Sequence, residues 1–452
     1  MPHRDDITAA SRRATLLESL RETYGKSRTK DRHVRPANPE KIDSYDFSKH
    51  AAYSEVRIAK AAARTLSLAS PFFRVSEAAR PCEVRINGRW VINFASYDYL
   101  GLNQSEAVRL AVEAGTRDWG VSATASRLVG GERTAHVGLE KQLAEFVGTE
   151  SALALVSGHA TNVAIIRTLV GPGDLVLVDS LAHNSIYEGI RASGANHVSF
   201  PHNDADWVNE YLKKNAGGYG NTLVIVEGLY SMDGDTPALA HFVKVKQRHR
   251  SWLMIDEAHS IGVLGATGRG ICEERDVNSR DVEIIMGTLS KSLCSCGGFV
   301  AGSESLIDLL RYKAPGFVYS VGLSAPNTAA AQAALTKISA HPEYVSELRN
   351  ACVEFFSIAR SLSLNTGESE GFAICPVIIG DSLRAVWVSN RLLTKGFNVL
   401  PIITPAVPDR SARLRFFINR KHRPEDMRVA LEATADLIKH SSSMSVQDLA
   451  AG

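Results

Sequence analysis

Two apolar runs in this chain end in residues that can do chemistry. Ile284-Ile285-Met286-Gly287-Thr288-Leu289-Ser290-Lys291 closes on small hydroxyl residues and a lysine. Earlier, Trp252-Leu253-Met254-Ile255-Asp256-Glu257-Ala258-His259-Ser260 closes on an acid and a histidine. A short apolar run followed by a turn signal reads as a buried strand reaching its end, so two neighbouring strands would bring Asp256, His259 and Lys291 to one rim. A lysine at a strand end is either a solvated surface group or a nucleophile. An amine and a carboxylate at one edge suit chemistry on an aromatic aldehyde: the amine forms a Schiff base, and the carboxylate keeps the ring nitrogen protonated so that the ring withdraws electrons. That is pyridoxal phosphate chemistry, with Lys291 as the amine and Asp256 as the carboxylate.

The elements that must position these residues follow an alternating pattern. Apolar runs at 175–178, 222–226, 253–255 and 284–286 are each followed by turn or helix signals. That βαβ rhythm predicts an α/β fold with a mostly parallel sheet covered on both faces. Active residues of such sheets gather where strands end, which places Asp179, His183, Glu227, Asp256, His259 and Lys291 along one edge. A further short strand at 152–156 leads into Ser157-Gly158-His159-Ala160-Thr161-Asn162 at the start of a long helix. Its first amides are either a plain capped N-terminus or a seat for a phosphate.

Other stretches set the boundaries. Residues 84–94 alternate around Asn87-Gly88, a two-residue hairpin signal. The small residues of 122–131 surround Arg127 and read as a loop packed close to something, and 136–146 has helical spacing. After an Ala-rich helix over 326–339, strands expected at 375–379, 397–399 and 413–418 suggest a smaller α/β unit, with a frayed Ser-rich tail beyond His440. The expected division is an arm with helical and hairpin segments over 1–92, a large cofactor-binding domain over 93–335 and a small C-terminal domain over 336–452. Within the arm, 14–24 and 53–67 read as helices, and the basic stretch 26–36 is either a solvated tether or a docking surface for an acidic partner.

Composition excludes several classes. A chain of 452 residues, 44% hydrophobic and 22% charged, has an ordinary globular balance, and a net charge of +2 gives no reason to expect nucleic acid. Cys82, Cys272, Cys294, Cys296, Cys352 and Cys375 are scattered, which reads as reduced thiols and not as a disulfide framework. Cys294-Ser295-Cys296 matches no common zinc spacing, so no metal is expected. No apolar run reaches the ~18 residues of a membrane span, and the N-terminus lacks a secretory signal, so the cytoplasm is the expected location.

With these residues in view, the sequence resembles the α-oxoamine synthases, a fold-type I pyridoxal phosphate family. The likeness runs from about residue 93 to residue 436. It rests on Asp98-Tyr99-Leu100-Gly101, Ser126-Arg127-Leu128, the run from Glu227 to Asp235, Asp256-Glu257-Ala258-His259, Thr288-Leu289-Ser290-Lys291 and Arg413-Leu414-Arg415. It implies a fold-type I transferase with a seven-stranded-type sheet and a smaller C-terminal domain. It also implies that Lys291 binds the cofactor and moves the substrate α-proton, that Asp256 pairs with the ring nitrogen, and that His259 bonds the ring hydroxyl while His183 stacks on the ring. Ser157, Gly158, His159 and Thr288 would hold the phosphate, with Ser231 beside the ring hydroxyl. Tyr97, Ser126, Arg127, Glu227 and Arg415 would face the substrates, Arg415 clamping the amino-acid carboxylate; strand alternation alone does not separate it from Arg413. Glu227 either caps a strand end or lies near the acyl substrate.

The implied reaction condenses a small amino acid (serine, alanine or glycine) with an acyl thioester, losing carbon dioxide and giving an α-aminoketone. An aminotransferase or retro-aldol lyase of the same fold is the alternative. A homodimer is implied, in which Ser320 of one subunit reaches the other's phosphate. Three positions depart from the family pattern: Tyr97 where Asn is usual, His159 where an aromatic is common, and Tyr319-Ser320-Val321-Gly322-Leu323-Ser324 in place of a hydroxyl-rich segment. The last of these, with the long arm, resembles the branch that takes its acyl group from an acyl carrier protein.

Overall fold

The computed structural model of this chain describes residues 46–65, 69–445 and 448–449. The expected helix over 14–24 and the basic stretch over 26–36 lie outside the described residues. Strands β1 (Ala78–Arg80), β2 (Glu83–Ile86) and β3 (Arg89–Asn93) open the body of the fold. The hairpin at Asn87-Gly88 is present: both residues have positive φ, 49° and 73°, as the tight turn between β2 and β3 requires.

The central sheet takes β4 (Ser151–Leu155), β5 (Leu175–Asp179), β6 (Asn196–Phe200), β7 (Thr222–Glu227), β8 (Trp252–Asp256), β9 (Ile284–Thr288) and β10 (Gly298–Gly302). Their order is β4-β10-β9-β8-β7-β5-β6, a seven-stranded sheet in which β10 runs antiparallel to both neighbours while β9, β8, β7, β5 and β6 are parallel. This is the fold-type I architecture. Two strands go beyond the sequence reading: β6, with exposed positions along most of its length, and the glycine-bounded β10.

Continuous apolar runs are needed because both faces of the sheet are covered. Side-chain alternation sorts them into two cores. Leu177, Val224, Val226, Leu253, Ile255 and Ile285 pack on one side, and Val176, Val178, Leu223, Ile225, Met254 and Ile284 on the other. Each such side chain contributes about 1.5–3 kcal/mol on burial, so the register of the strands is fixed and with it the identity of the residues at their C-terminal ends.

The C-terminal part supplies β11 (Ile374–Gly380), β12 (Phe397–Asn398), β13 (Leu400–Ile402) and β14 (Ala412–Phe417). Strands β11, β14 and β13 form an antiparallel sheet, whereas β12 pairs in parallel with β3 and completes a four-stranded sheet with the N-terminal hairpin. Phe94, Phe355, Phe416 and His422 pack together beneath that junction. The tail departs from expectation: helix Pro424–Ser442 continues through Ser441, which is 1% exposed and donates its hydroxyl to Ile438 O, so the fraying expected after His440 does not begin there. All six cysteines are free.

Candidate active site

The C-terminal ends of β7, β8 and β9 stand side by side, with Glu227 in register with Asp256 and Asp256 with Met286. Asp256 is buried at its strand end, where Oδ2 accepts a hydrogen bond from Asn162 Nδ2 at 2.8 Å and Oδ1 one from the Ala258 amide at 2.9 Å. Asn162 also donates to the Ser185 hydroxyl at 2.9 Å, and that hydroxyl lies 2.7 Å from His183 Nδ1. The His183 ring thereby caps helix Asn184–Ser193, its Nδ1 accepting from the Ser185 amide at 3.3 Å. Burial lowers the His183 pKa, Asp256 opposing and Lys291 reinforcing the shift, so the ring is neutral with its proton on Nε2.

Lys291 lies just past the end of β9. Burial pulls its pKa down to about 8, against the opposing pull of Asp256 and Glu227 and with the help of Arg415. Its Nζ sits 5.4 Å from the centre of the Tyr97 ring. Tyr97 packs edge-on against His259 and Phe417, with centroids 5.7 and 4.7 Å away, and its hydroxyl faces Arg415. His259 is buried, and burial followed by the Lys291 and Arg415 charges holds its pKa well below the ordinary value. Glu227 accepts the His183 amide at 2.6 Å; burial and then Asp256 push its carboxyl well above the usual range.

The residues expected to hold a phosphate are also together. Ser157 caps helix Gly158–Leu169 by accepting from the Ala160 amide. The first amides of a helix have no partner in its own ladder, and here they belong to Gly158 and His159. Glycine is required at 158: a Cβ there would lie 2.9 Å from Thr288 Oγ1 at the end of β9. This cradle beside a buried amine of depressed pKa and a buried carboxylate fits pyridoxal phosphate.

Arg413 and Arg415 project from the same face of β14 but differ in what they touch. Arg413 is committed to the fold: it donates to Ser411 O and Met232 O and pairs with Asp233 at 2.5 Å. Arg415 Nη1 donates to Ser231 O at 2.8 Å, its Nε is buried without a partner, and its guanidinium lies 4.7 Å from the Phe417 ring centre. Ser231 thus meets Arg415 through its backbone carbonyl.

Arg127 and Ser126 do not join this group within one chain, and Ser320, expected at the other subunit's phosphate, lies beside them. Arg127 is 5% exposed and all five of its N–H donors are engaged, by Glu132, Glu140 and Ala154 O, so it has none to offer a substrate. Within this chain Arg127 is a buried ion-pair centre. The Ser126 hydroxyl donates to Val318 O at 2.7 Å. Ser320 lies in the neighbouring segment, tied to this loop by the Gly322 amide on Ala125 O. Among the described residues no hydrogen bond or ring contact links this cluster to Lys291, Asp256 or His259. Conversely, Asn162, Ser185, Tyr99 and Phe417 contact the site residues although the sequence reading gave them no role.

The sheet and its lysine, acid and cradle define a pyridoxal-phosphate-dependent enzyme, and comparison with known proteins narrows the class. The model of the family Aminotransferase class I and II matches residues 89–433. The 8-amino-7-oxononanoate synthase of Methylococcus capsulatus is 39% identical over 365 residues, 81% of this chain and 94% of the relative. Among solved structures, the Sphingomonas wittichii serine palmitoyltransferase superposes with a TM-score of 0.84 at 29% identity, over 88% of this chain and 100% of that one. A serine palmitoyltransferase from S. paucimobilis with bound PLP-myriocin gives the same TM-score at 26% identity, over 88% of this chain and 100% of that one. The chain belongs to the α-oxoamine synthases of the aminotransferase class I and II family. It is a pyridoxal-phosphate-dependent acyltransferase of the decarboxylating-condensation type. No described helix is long and apolar enough to cross a membrane, and no metal-binding cluster is present among the described residues.

Proposed function

We propose that this enzyme joins serine, alanine or glycine to an acyl thioester and releases carbon dioxide and an α-aminoketone. The observation that carries the reading is Arg415, whose guanidinium is held at one nitrogen by Ser231 O and has a buried unpartnered Nε. A planar two-pronged donor with capacity to spare, near a lysine of lowered pKa, suits the carboxylate of a small amino acid.

When bound, pyridoxal phosphate supplies the sink for the electrons left at the amino acid's α-carbon. The chain's own residues do the rest. Gly158, His159 and Thr288 would anchor the phosphate, Asp256 would pair with the ring nitrogen, and His183 and His259 would meet the ring. Arg415, with Tyr97 beside it, would hold the substrate carboxylate, and Lys291 Nζ would move the α-proton. A pKa of about 8 lets that nitrogen take and return a proton near neutral pH. Asp256, His259 and Glu227 are themselves buried from water.

The acyl group arrives on coenzyme A or on an acyl carrier protein, and the basic stretch 26–36 favours an acidic carrier. A homodimer accompanies this reading. The loop carrying Ser126 and the segment carrying Ser320 expose Val129 at 81% and Tyr319 at 87%, an apolar surface that a second copy would cover. The deciding experiment supplies holoenzyme with carboxyl-labelled serine, alanine or glycine, with and without acyl-coenzyme A or acyl carrier protein. Labelled carbon dioxide released only in the presence of a thioester is the expected result; release without one, or amino-group transfer to a keto acid, overturns the proposal.

A further inference from the structure

The turn from Ser231 to Asp235 holds both β14 arginines. Ser231 O accepts from Arg415 at 2.8 Å, Met232 O accepts from Arg413 at 3.1 Å, and Asp233 pairs with Arg413. The place of Arg415 is therefore no better defined than the place of this turn. One side of the turn is fixed by the C-terminal part: Glu370 accepts from the Thr236 amide at 2.9 Å, and its own amide donates to Gly234 O at 3.1 Å. Gly234 has φ 72°, and a Cβ there would lie 2.4 Å from Ile374 O, so the turn is pressed against β11.

The other side is fixed by a histidine outside the catalytic group. His202 Nε2 lies 2.7 Å from Asp235 Oδ2 at the end of the turn, and Nδ1 lies 2.9 Å from Asp179 Oδ1 at the end of β5. Asn203 reinforces both ends, with its amide on Asp179 at 2.8 Å and its side chain on Asp235 at 2.9 Å. The Tyr230 ring closes the cluster edge-on at 4.4 Å. A ring with a carboxylate on each nitrogen needs a proton on each. Burial opposes the charge, yet Asp179 and Asp235 push the His202 pKa up to about 10.

We propose that His202 is a positioning residue for the amino-acid substrate: clamped between Asp179 and Asp235, it fixes the Ser231–Asp235 turn and, through Ser231 O, the Arg415 guanidinium. The inference rests on the reading of Arg415 as the carboxylate clamp. Without the imidazolium, Asp179 and Asp235 face each other as unscreened carboxylates and drive the turn outward. Asp256 and Lys291 sit on other strand ends with contacts of their own. The clamp therefore governs amino-acid affinity and leaves the chemical step alone.

The test titrates holoenzyme with serine, alanine and glycine, reading the visible absorption of the bound cofactor for Kd and acyl-coenzyme A turnover for kcat. His202→Ala is expected to raise Kd by about tenfold or more while kcat changes less than about threefold, with the substrate-free spectrum unchanged. Asp235→Asn leaves His202 with one carboxylate, so its affinity is expected to weaken with rising pH at a lower pH than in the parent enzyme. If His202→Ala yields no folded holoenzyme, the pH profile of Asp235→Asn decides in its place. An unchanged Kd, or Kd and kcat worsening together, overturns the inference. Arg415→Ala is the control. If it leaves Kd unchanged, the carboxylate reading itself falls; if it weakens binding and His202→Ala does not, only the clamp falls.

Discussion

The Tyr99 hydroxyl lies 2.7 Å from Nδ1 of His259, and this contact orients the histidine. Tyr99 is fully buried, and burial raises its pKa well above the ordinary value, so the phenol keeps its proton and donates it. His259 is neutral, accepts at Nδ1 and carries its proton on Nε2, where it is available to a bound group. Tyr99→Phe strands Nδ1 in a buried place, a cost of about 1–3 kcal/mol. The variant is expected to keep its cofactor, to show a shifted visible absorption and to lose about tenfold in kcat. A spectrum and kcat equal to the parent's would show that the contact orients nothing.

Lys291 predicts a pH dependence that can be read before any substrate is added. Only the unprotonated amine attacks an aldehyde, and a pKa of about 8 places that form within reach of neutral pH. The rate at which apoenzyme captures pyridoxal phosphate should therefore rise about tenfold per pH unit below pH 8 and level off above it. An ordinary exposed lysine would go on rising to beyond pH 10. Lys291→Ala should bind the cofactor without the covalent step and lose nearly all turnover. Stopped-flow absorbance checks the profile, and continued acceleration past pH 9 would refute the lowered pKa.

Glu227 gives a prediction of the opposite kind, a substitution that does little. Burial, with Asp256 alongside, pushes its carboxyl well above the usual range and so favours the neutral acid, which accepts the His183 amide. Glutamine offers the same acceptor at the same size. Glu227→Gln should leave the capture profile of Lys291 within about half a pH unit of the parent. An ionised Glu227 would be supporting the lysine's charge, and its loss would shift the profile to lower pH; that shift is the result that would reject a neutral Glu227.

The parts of this site that were legible in the sequence are those written locally. Asp256 closes a strand after the apolar run 252–255, His259 lies three residues beyond it, and Lys291 lies three residues past a strand that opens on the apolar run 284–286; such runs ending in a chemical group have few alternative readings. Strand β6 was missed because it forms the sheet edge and keeps exposed positions along Asn196–Phe200, which leaves no apolar run to see. Asn162 and Tyr99 were missed for another reason: their partners Asp256 and His259 lie 94 and 160 residues away, and no local pattern encodes such a hydrogen bond. Small residues around Arg127 correctly signalled close packing but could not say that Glu132 and Glu140 fill its donors. The Ser-rich end of the last helix misled because Ser441 is buried against its own helix.

Arg127, expected at the substrate, centres a buried ion-pair network, and measurement can separate a role in folding from one in binding. Glu140 answers it and also accepts from Arg311 Nη2 at 3.2 Å and from the Ala154 amide at 2.8 Å, so the arginine ties helix Thr134–Val147 to β4. Removing one partner of a buried pair leaves the other charge uncompensated, at a cost of about 3–5 kcal/mol. Arg127→Ala should therefore lower the thermal midpoint sharply. Arg127→Lys should recover little, since an ammonium group has three donors where five are used. Measured on folded holoenzyme well below its midpoint, amino-acid Kd should stay within about twofold of the parent value for both variants, since neither removes a substrate contact. A loss of affinity at unchanged stability would return Arg127 to the substrate site and show that Glu132 and Glu140 release it when substrate binds.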